Sequence, residues 1–175
     1  LWSRFADPLP VLERIRRAPE HEATAMLQHV YAEAPIDEGL IRERIATIRD
    51  AGVNVTVGVS PQGASHLAPV AVAAGIDLLV IRGTTVSAEH VSSDGAPLNL
   101  KTFIYDLEVP VIVGGCATYQ AALHLMRTGA AGVLVGFGGG AAHTTSDVLG
   151  IRVPMASAIA DVAAARRDYL DESGG

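Results

Sequence analysis

Apolar positions along this chain fall into two rhythms that alternate. Helical spacing, with apolar residues three and four apart, occupies 37–50, 62–73, 98–106 and 118–127, and Thr118 stands where an N-cap hydroxyl belongs. Between these stretches lie short, continuous apolar runs. Three can be superposed: Ala51-Gly-Val-Asn-Val-Thr-Val57, Ala74-Gly-Ile-Asp-Leu-Leu-Val80 and Thr128-Gly-Ala-Ala-Gly-Val-Leu-Val135. Each reads as the end of a helix, a glycine stop and a strand, because glycine tolerates the left-handed turn past a helix end and a β-branched run prefers an extended backbone. Val109-Pro-Val-Ile-Val113 is a fourth strand, ending at Gly114-Gly115. The region 10–34 is helical in pattern, with Pro19 and the glutamates Glu20 and Glu22 marking a helix start, and an apolar segment runs over 148–165.

Strand and helix alternating four times, with strands apolar on both faces, predict a parallel sheet with helices outside it. A closed (β/α)8 TIM barrel and an open doubly wound sheet both fit. A complete barrel takes about 250 residues, so the expectation is a single partial (β/α) barrel domain over 1–175, about half a barrel, with N-terminal and C-terminal barrel units lying outside it. In either form ligands bind at the carboxyl ends of the strands. Those ends are Gly58-Val59-Ser60, Arg82-Gly83-Thr84-Thr85, Gly114-Gly115-Cys116 and the stretch from Gly136 to Thr145.

Composition narrows the function. A hydrophobic fraction of 49% and a formal charge of −6 suit a globular protein and argue against nucleic-acid or acidic-membrane partners, which need a basic face. The single cysteine, Cys116, excludes an internal disulfide and fits a reducing cytoplasm. No apolar run is long enough to span a bilayer.

The glycine-rich stretch Gly136-Phe-Gly-Gly-Gly-Ala-Ala-His-Thr-Thr145 follows directly on a strand, where backbone N–H and C=O groups can approach a ligand closely. Together with Val148-Leu-Gly-Ile-Arg-Val-Pro-Met-Ala-Ser-Ala158 it resembles the catalytic loop of the IMP dehydrogenase and GMP reductase family, Gly-x-Gly-x-Gly-Ser-x-Cys-x-Thr, and the Gly-x-Pro-x-x-Thr-Ala helix start that follows it. Gly114-Gly115 resembles that family's glycine pair, and 74–80 its strand carrying a nicotinamide-facing aspartate; the likeness covers most of 50–172 in order. It is closest to the IMP dehydrogenase-related branch without the regulatory insert.

The resemblance implies an oxidoreductase of guanine nucleotide metabolism, in which a cysteine thiolate adds to purine C2 and a hydride passes to or from a nicotinamide cofactor. Carried over residue by residue, it implies His143 and Thr145 as catalytic positions and Arg82, Gly83, Thr84, Cys116 and Gly136 as contacts for NAD or NADP. It implies Gly140, Ala141 and Ala142 as contacts for IMP or GMP. Gly138, Gly140 and the carbonyl of His143 would hold a monovalent cation, and the assembly would be a homo-oligomer, a tetramer as in the family.

Five positions depart from the family pattern. His143 replaces the nucleophilic cysteine, Ala141 the phosphate-binding serine, Arg82 an aspartate, Cys116 an asparagine and Leu134 an arginine. These leave a second expectation open, a catalytically silent purine-nucleotide-binding paralogue, and a third, a flavin- or phosphate-binding barrel enzyme of another family. Several residues have plainer readings. Cys116 reads as a small buried filler and His143 as a surface histidine. His66, His90 and His124 lie in helical patterns without ligand spacing, and Arg166-Arg167 reads as the basic end of a helix.

Overall fold

The computed structural model describes residues 1–83, 89–90, 98–137 and 145–174. Its centre is a four-stranded parallel sheet of β1 (Thr56–Val59), β2 (Leu78–Arg82), β5 (Val111–Cys116) and β6 (Gly132–Val135), in the order β1-β2-β5-β6. Helices α4 (Pro61–Ala73), α5 (Leu100–Tyr105) and α6 (Tyr119–Met126) make the crossovers, and α8 (Met155–Ser173) follows β6. The strands therefore lie side by side in chain order, with no reversal. A doubly wound sheet reverses direction at its switch point, whereas successive barrel strands do not, so this is one arc of a (β/α)8 barrel.

Three joints between helix and strand turn through glycine as the repeat predicts. Gly52, Gly75 and Gly129 have φ of 74°, 87° and 88°, and their N–H groups close the preceding helices onto Arg49, Val72 and Met126 carbonyls at 2.9, 2.9 and 3.0 Å. Capping side chains start the helices. Asp37 accepts from the Gly39 and Leu40 amides at α3 (Glu38–Asp50), Ser60 from Gly63, Asn99 from Thr102 and Thr118 from Ala121. Asp77 ties two strand starts together, its carboxylate accepting from the Val55 amide at 2.6 Å.

One face of the sheet is fully packed. Leu79, Ile81, Val111 and Val113 are 0–1% exposed and sit under α4, α6 and α8, whose inward residues include Ala64, Ala68, Ala71, Ala122, Val162 and Ala165. The many alanines let the helices approach the sheet closely. The other face carries Leu78, Val80 and Ile112, and these are only half-buried, as is every residue of β6. The expectation of strands buried on both faces fails here, because this second face is the concave lining of the arc and nothing among the described residues lies across it.

The remaining elements flank this arc. A helical hairpin of α1 (Leu9–Arg17) and α2 (Ala23–Glu33), interrupted at Pro19 and a short 3₁₀ turn (Glu20–Glu22), is clasped by the Arg14–Glu33 ion pair at 2.6 Å. Beyond β2, a two-residue antiparallel pairing joins β3 (Glu89–His90) to β4 (Leu98–Asn99). Two expectations are corrected by it. Leu98 and Asn99 precede the helix, since the side-chain Oδ1 of Asn99 caps it by accepting from the Thr102 amide, and His90 lies in an extended segment. Arg166 and Arg167 sit inside α8, which runs on to Ser173, so they do not form a basic helix end. None of the described helices is long and apolar enough to cross a membrane.

Replacing Leu79 by Ala is expected to cost about 2–5 kcal/mol in urea denaturation, because the cavity opens in fully packed surroundings. Val148→Ala, at a position 75% exposed, is expected to change stability by less than about 0.5 kcal/mol. The 175-residue chain expressed alone is expected to self-associate through the open edges of β1 and β6 and to protect β2 and β5 amides better than edge amides in hydrogen exchange. A monomeric chain that unfolds cooperatively would contradict the barrel-arc account.

Candidate functional site

The carboxyl ends of the four strands form one edge, and three backbone bonds knit it. The Gly83 amide donates to the Gly114 carbonyl at 2.8 Å, the Gly115 amide to the Gly83 carbonyl at 3.1 Å and the Gly136 amide to the Cys116 carbonyl at 2.7 Å. Gly83, Gly114, Gly115 and Gly136 thus make a floor that carries no side chains. A flat heteroaromatic ring could lie against such a surface at van der Waals distance.

Glycine is needed at two of these positions for packing. A Cβ on Gly114 would stand 2.6 Å from both the Cβ and the carbonyl oxygen of Leu134. One on Gly136, where φ is 127°, would stand 2.7 Å from Cε of Met155, the first residue of α8. The ladder shifts between Gly114 and Cys116, so that Gly114 pairs with Leu134 and Cys116 with Val135. The shift brings the Cys116 and Leu134 region into close contact.

The structure gathers Arg82, Gly83, Cys116 and Gly136 from separate parts of the sequence. Arg82 is the last residue of β2, exposed, in register with Gly114. Cys116 is 3% exposed, its thiol 3.6 Å from the Leu134 carbonyl oxygen, and burial raises its pKa above the usual thiol value. Its side chain is therefore turned between β5 and β6, and its carbonyl is engaged by Gly136. The plainer reading of Cys116 as a buried filler describes its packing.

One expectation is corrected at Gly136: its N–H is held by the sheet, so this amide is not available to a ligand. Thr145 opens α7 (Thr145–Leu149). Thr84, Gly138, Gly140, Ala141, Ala142 and His143 lie outside the described residues. Sequence reading passed over Ser60 as a cap, although Ser followed by Pro61 at the first helical position is a recognisable helix start. It also passed over Arg152, exposed in the segment joining α7 to α8; the next residue, Val153, donates its amide to the Phe137 carbonyl at 3.3 Å and fixes that segment beside the end of β6.

A cleft of about 580 Å³ lies at the opposite end of the sheet, lined by Lys101, Ile104, Tyr105, Thr128, Gly129 and Tyr169 among others. It is an open groove at the amino ends of β5 and β6. In barrels of this kind chemistry belongs to the other face, so the glycine-floored edge is the candidate site.

Strand order and site face together define a segment of a (β/α)8 barrel with its ligand face at the glycine-rich strand ends. A family model described as the IMP dehydrogenase / GMP reductase domain matches residues 17–171, and the chain belongs to that family. An uncharacterized oxidoreductase of Mycolicibacterium smegmatis is 60% identical over 167 residues, 94% of this chain and 44% of that protein. The inosine-5'-monophosphate dehydrogenase of Pasteurella multocida is 35% identical over 117 residues, 66% of this chain and 23% of that protein. The crystal structure of an IMP dehydrogenase/GMP reductase-like protein from Corynebacterium glutamicum superposes with a TM-score of 0.88 at 51% identity, covering 100% of this chain and 46% of that one. The chain thus spans less than half the length of its nearer relatives, in keeping with the barrel arc.

Gly114→Ala is expected to destabilise the fold by more than about 2 kcal/mol in thermal or urea unfolding, since the clash is with backbone and not with a movable side-chain tip. Cys116 is expected to react with iodoacetamide at least tenfold more slowly than a free thiol at pH 8 and to reach the free rate only in denaturant. The sign of its pH dependence follows from the raised pKa. The folded state keeps the proton longer, so this contribution is complete below about pH 8.5 and is lost as the pH rises beyond it.

Proposed function

We propose that the protein is an IMP dehydrogenase/GMP reductase-like oxidoreductase that binds a purine nucleotide at the strand ends and exchanges a hydride at purine C2 with NAD or NADP. The observation that carries this reading is the side-chain-free floor of Gly83, Gly114, Gly115 and Gly136, built by consecutive strands at the barrel's ligand face. Such a floor suits two flat rings, a purine and a nicotinamide, brought close enough for transfer. The family match over 17–171 supports the same chemistry, as does the naming of its relatives as oxidoreductases.

The residues present fit a nicotinamide cofactor in shape. Arg82 changes the polar contact at the edge, since a guanidinium only donates hydrogen bonds where a carboxylate would accept them from ribose hydroxyls. When bound, the cofactor supplies the hydride acceptor or donor. The chain's own part is to present the glycine floor and to position the nucleotide through the 136–145 stretch.

A second reading is favoured by one observation. The chain's single cysteine is Cys116, buried and with its thiol pKa raised, while the sequence position matching the family nucleophile is His143. A buried neutral thiol facing Leu134 is no C2 nucleophile. On this reading the protein is a catalytically silent purine-nucleotide-binding paralogue, in which the floor and loop bind and no adduct forms.

Calorimetric titration of the intact protein with IMP and GMP tests what both readings share. Binding is expected, weaker by about 1 kcal/mol for the hydroxyl missing at Ala141; no heat and no thermal shift at millimolar nucleotide would overturn both. Turnover with NAD(P) separates them. If the protein turns over, His143→Ala is expected to abolish the reaction; in a silent paralogue that substitution changes little. His143→Cys combined with Ala141→Ser is expected to give at most weak activity, because residues that act as a unit are far from additive.

A further inference from the structure

Exposed arginines stand at two places beside the site edge. On the outer helices most arginines are matched, Arg14 with Glu33, Arg16 and Arg17 with Glu13, Arg42 with Glu38 and Arg127 with Glu172, while Arg49 donates to the Ala74 carbonyl and Arg166 and Arg167 on α8 make no ion pair among the described residues. Arg82 and Arg152 differ from all of these in place, beside the strand ends. Both are exposed, and neither makes an ion pair among the described residues.

Their places in the fold put them on two sides of the glycine floor. Arg82 ends β2. Arg152 precedes Val153, whose amide is bonded to Phe137 just past β6. One strand, β5, separates β2 from β6, and neighbouring strands are about 4.8 Å apart, so the two strand ends are on the order of 10 Å apart. Asp147 on α7 is the acidic residue nearest Arg152 in sequence, and it accepts a bond from the Ser146 hydroxyl at 3.3 Å. In a chain of net charge −6, this edge carries two guanidiniums and, among the described residues of the strand ends, no carboxylate.

Three of the floor's four amides, those of Gly83, Gly115 and Gly136, are closed to an anion because they are already engaged within the sheet. A negatively charged ligand group reaching this edge therefore has to be met by side chains, and guanidinium is the side chain whose planar fork matches phosphate oxygens.

We infer that the β2 side of this mouth is an anion subsite, in which Arg82 with Arg152 opposite it binds the phosphate groups of a phosphorylated ligand. The inference shares with the proposed function the face at which ligands bind, and it does not depend on the purine.

The test uses inorganic pyrophosphate as the probe, titrated calorimetrically into the intact protein and into Arg82→Ala, Arg82→Asp, Arg82→Lys and Arg152→Gly, each first shown to melt like the parent. Saturable binding is expected, with Kd raised at least tenfold by Arg82→Ala, further by Arg82→Asp and severalfold by Arg152→Gly. Arg82→Lys is expected to bind more weakly than the parent and more tightly than Arg82→Ala, since it keeps the charge and loses the planar fork, and the parent's affinity should fall with added salt more steeply than that of Arg82→Ala. Titration of the same variants with IMP is expected to change less than twofold, because that ligand is assigned to the 136–145 stretch.

Absence of saturable pyrophosphate binding overturns the subsite, as does binding that Arg82→Ala and Arg82→Asp leave unchanged. So does displacement of pyrophosphate by IMP with one common affinity, which would put the anion in the nucleotide's own pocket. Loss of IMP binding alone would sink the purine reading and leave the Arg82 effect intact. Competition by NAD assigns the source: displacement with the same Arg82 dependence identifies the anion as a cofactor's diphosphate, and its failure identifies a separate phosphorylated metabolite. Either result upholds the subsite.

Discussion

Burial of Leu79, Ile81, Val111 and Val113 on one face of β2 and β5 is the interaction on which the rest depends. Removing such side chains from water contributes on the order of 1.5–3 kcal/mol each. It also fixes register, because a slip of one residue would turn every one of them to the opposite face. With register fixed, Arg82 is set beside Gly114, and Gly114 beside Leu134. The site edge is thus positioned by packing that lies one layer below it.

The same constraint explains why the strand ends are made of glycine. Parallel strands joined by right-handed helical crossovers bring their carboxyl ends to one edge, and at Gly114 the neighbouring backbone comes too close for any side chain. What results is a smooth floor whose amides are engaged in holding the sheet together. Recognition of charge must then come from side chains at the border of the floor, where Arg82 stands exposed.

Membership of the IMP dehydrogenase and GMP reductase family and the departures from its pattern point to different levels of the molecule. The family likeness resides in the βα order, the glycine joints and the glycine floor, all of which are requirements of backbone geometry. The departures are in side chains at or beside the strand ends: Arg82, Cys116 and Leu134 among the described residues. A backbone can be kept by packing while the chemistry at its edge is altered, since exposed or edge side chains contribute little to stability. Cys116 illustrates the distinction. Its thiol is buried at the contact between β5 and β6, and that burial raises its pKa above the usual thiol value.

The sequence by itself determined the elements and their kind. Glycine at three helix-to-strand joints, an apolar run after each of those glycines, and Thr118 before an amphipathic stretch are local signals, because turn conformation, strand preference and capping act over a few residues. The family likeness was equally legible, since it rests on glycines at fixed spacing. Only the tertiary structure decided between barrel arc and open sheet, because both use the same local pattern and differ in which strands become neighbours. It moved the start of α5 past Leu98 and Asn99, whose pairing with residues 89–90 is not local. It also decided that the Gly136 amide is closed to ligands, that the Cys116 thiol turns inward and that Arg82 and Arg152, seventy residues apart in sequence, border one floor. Hydrogen-bond partners and charge neighbours are set by strand register, and register is a property of the packed sheet.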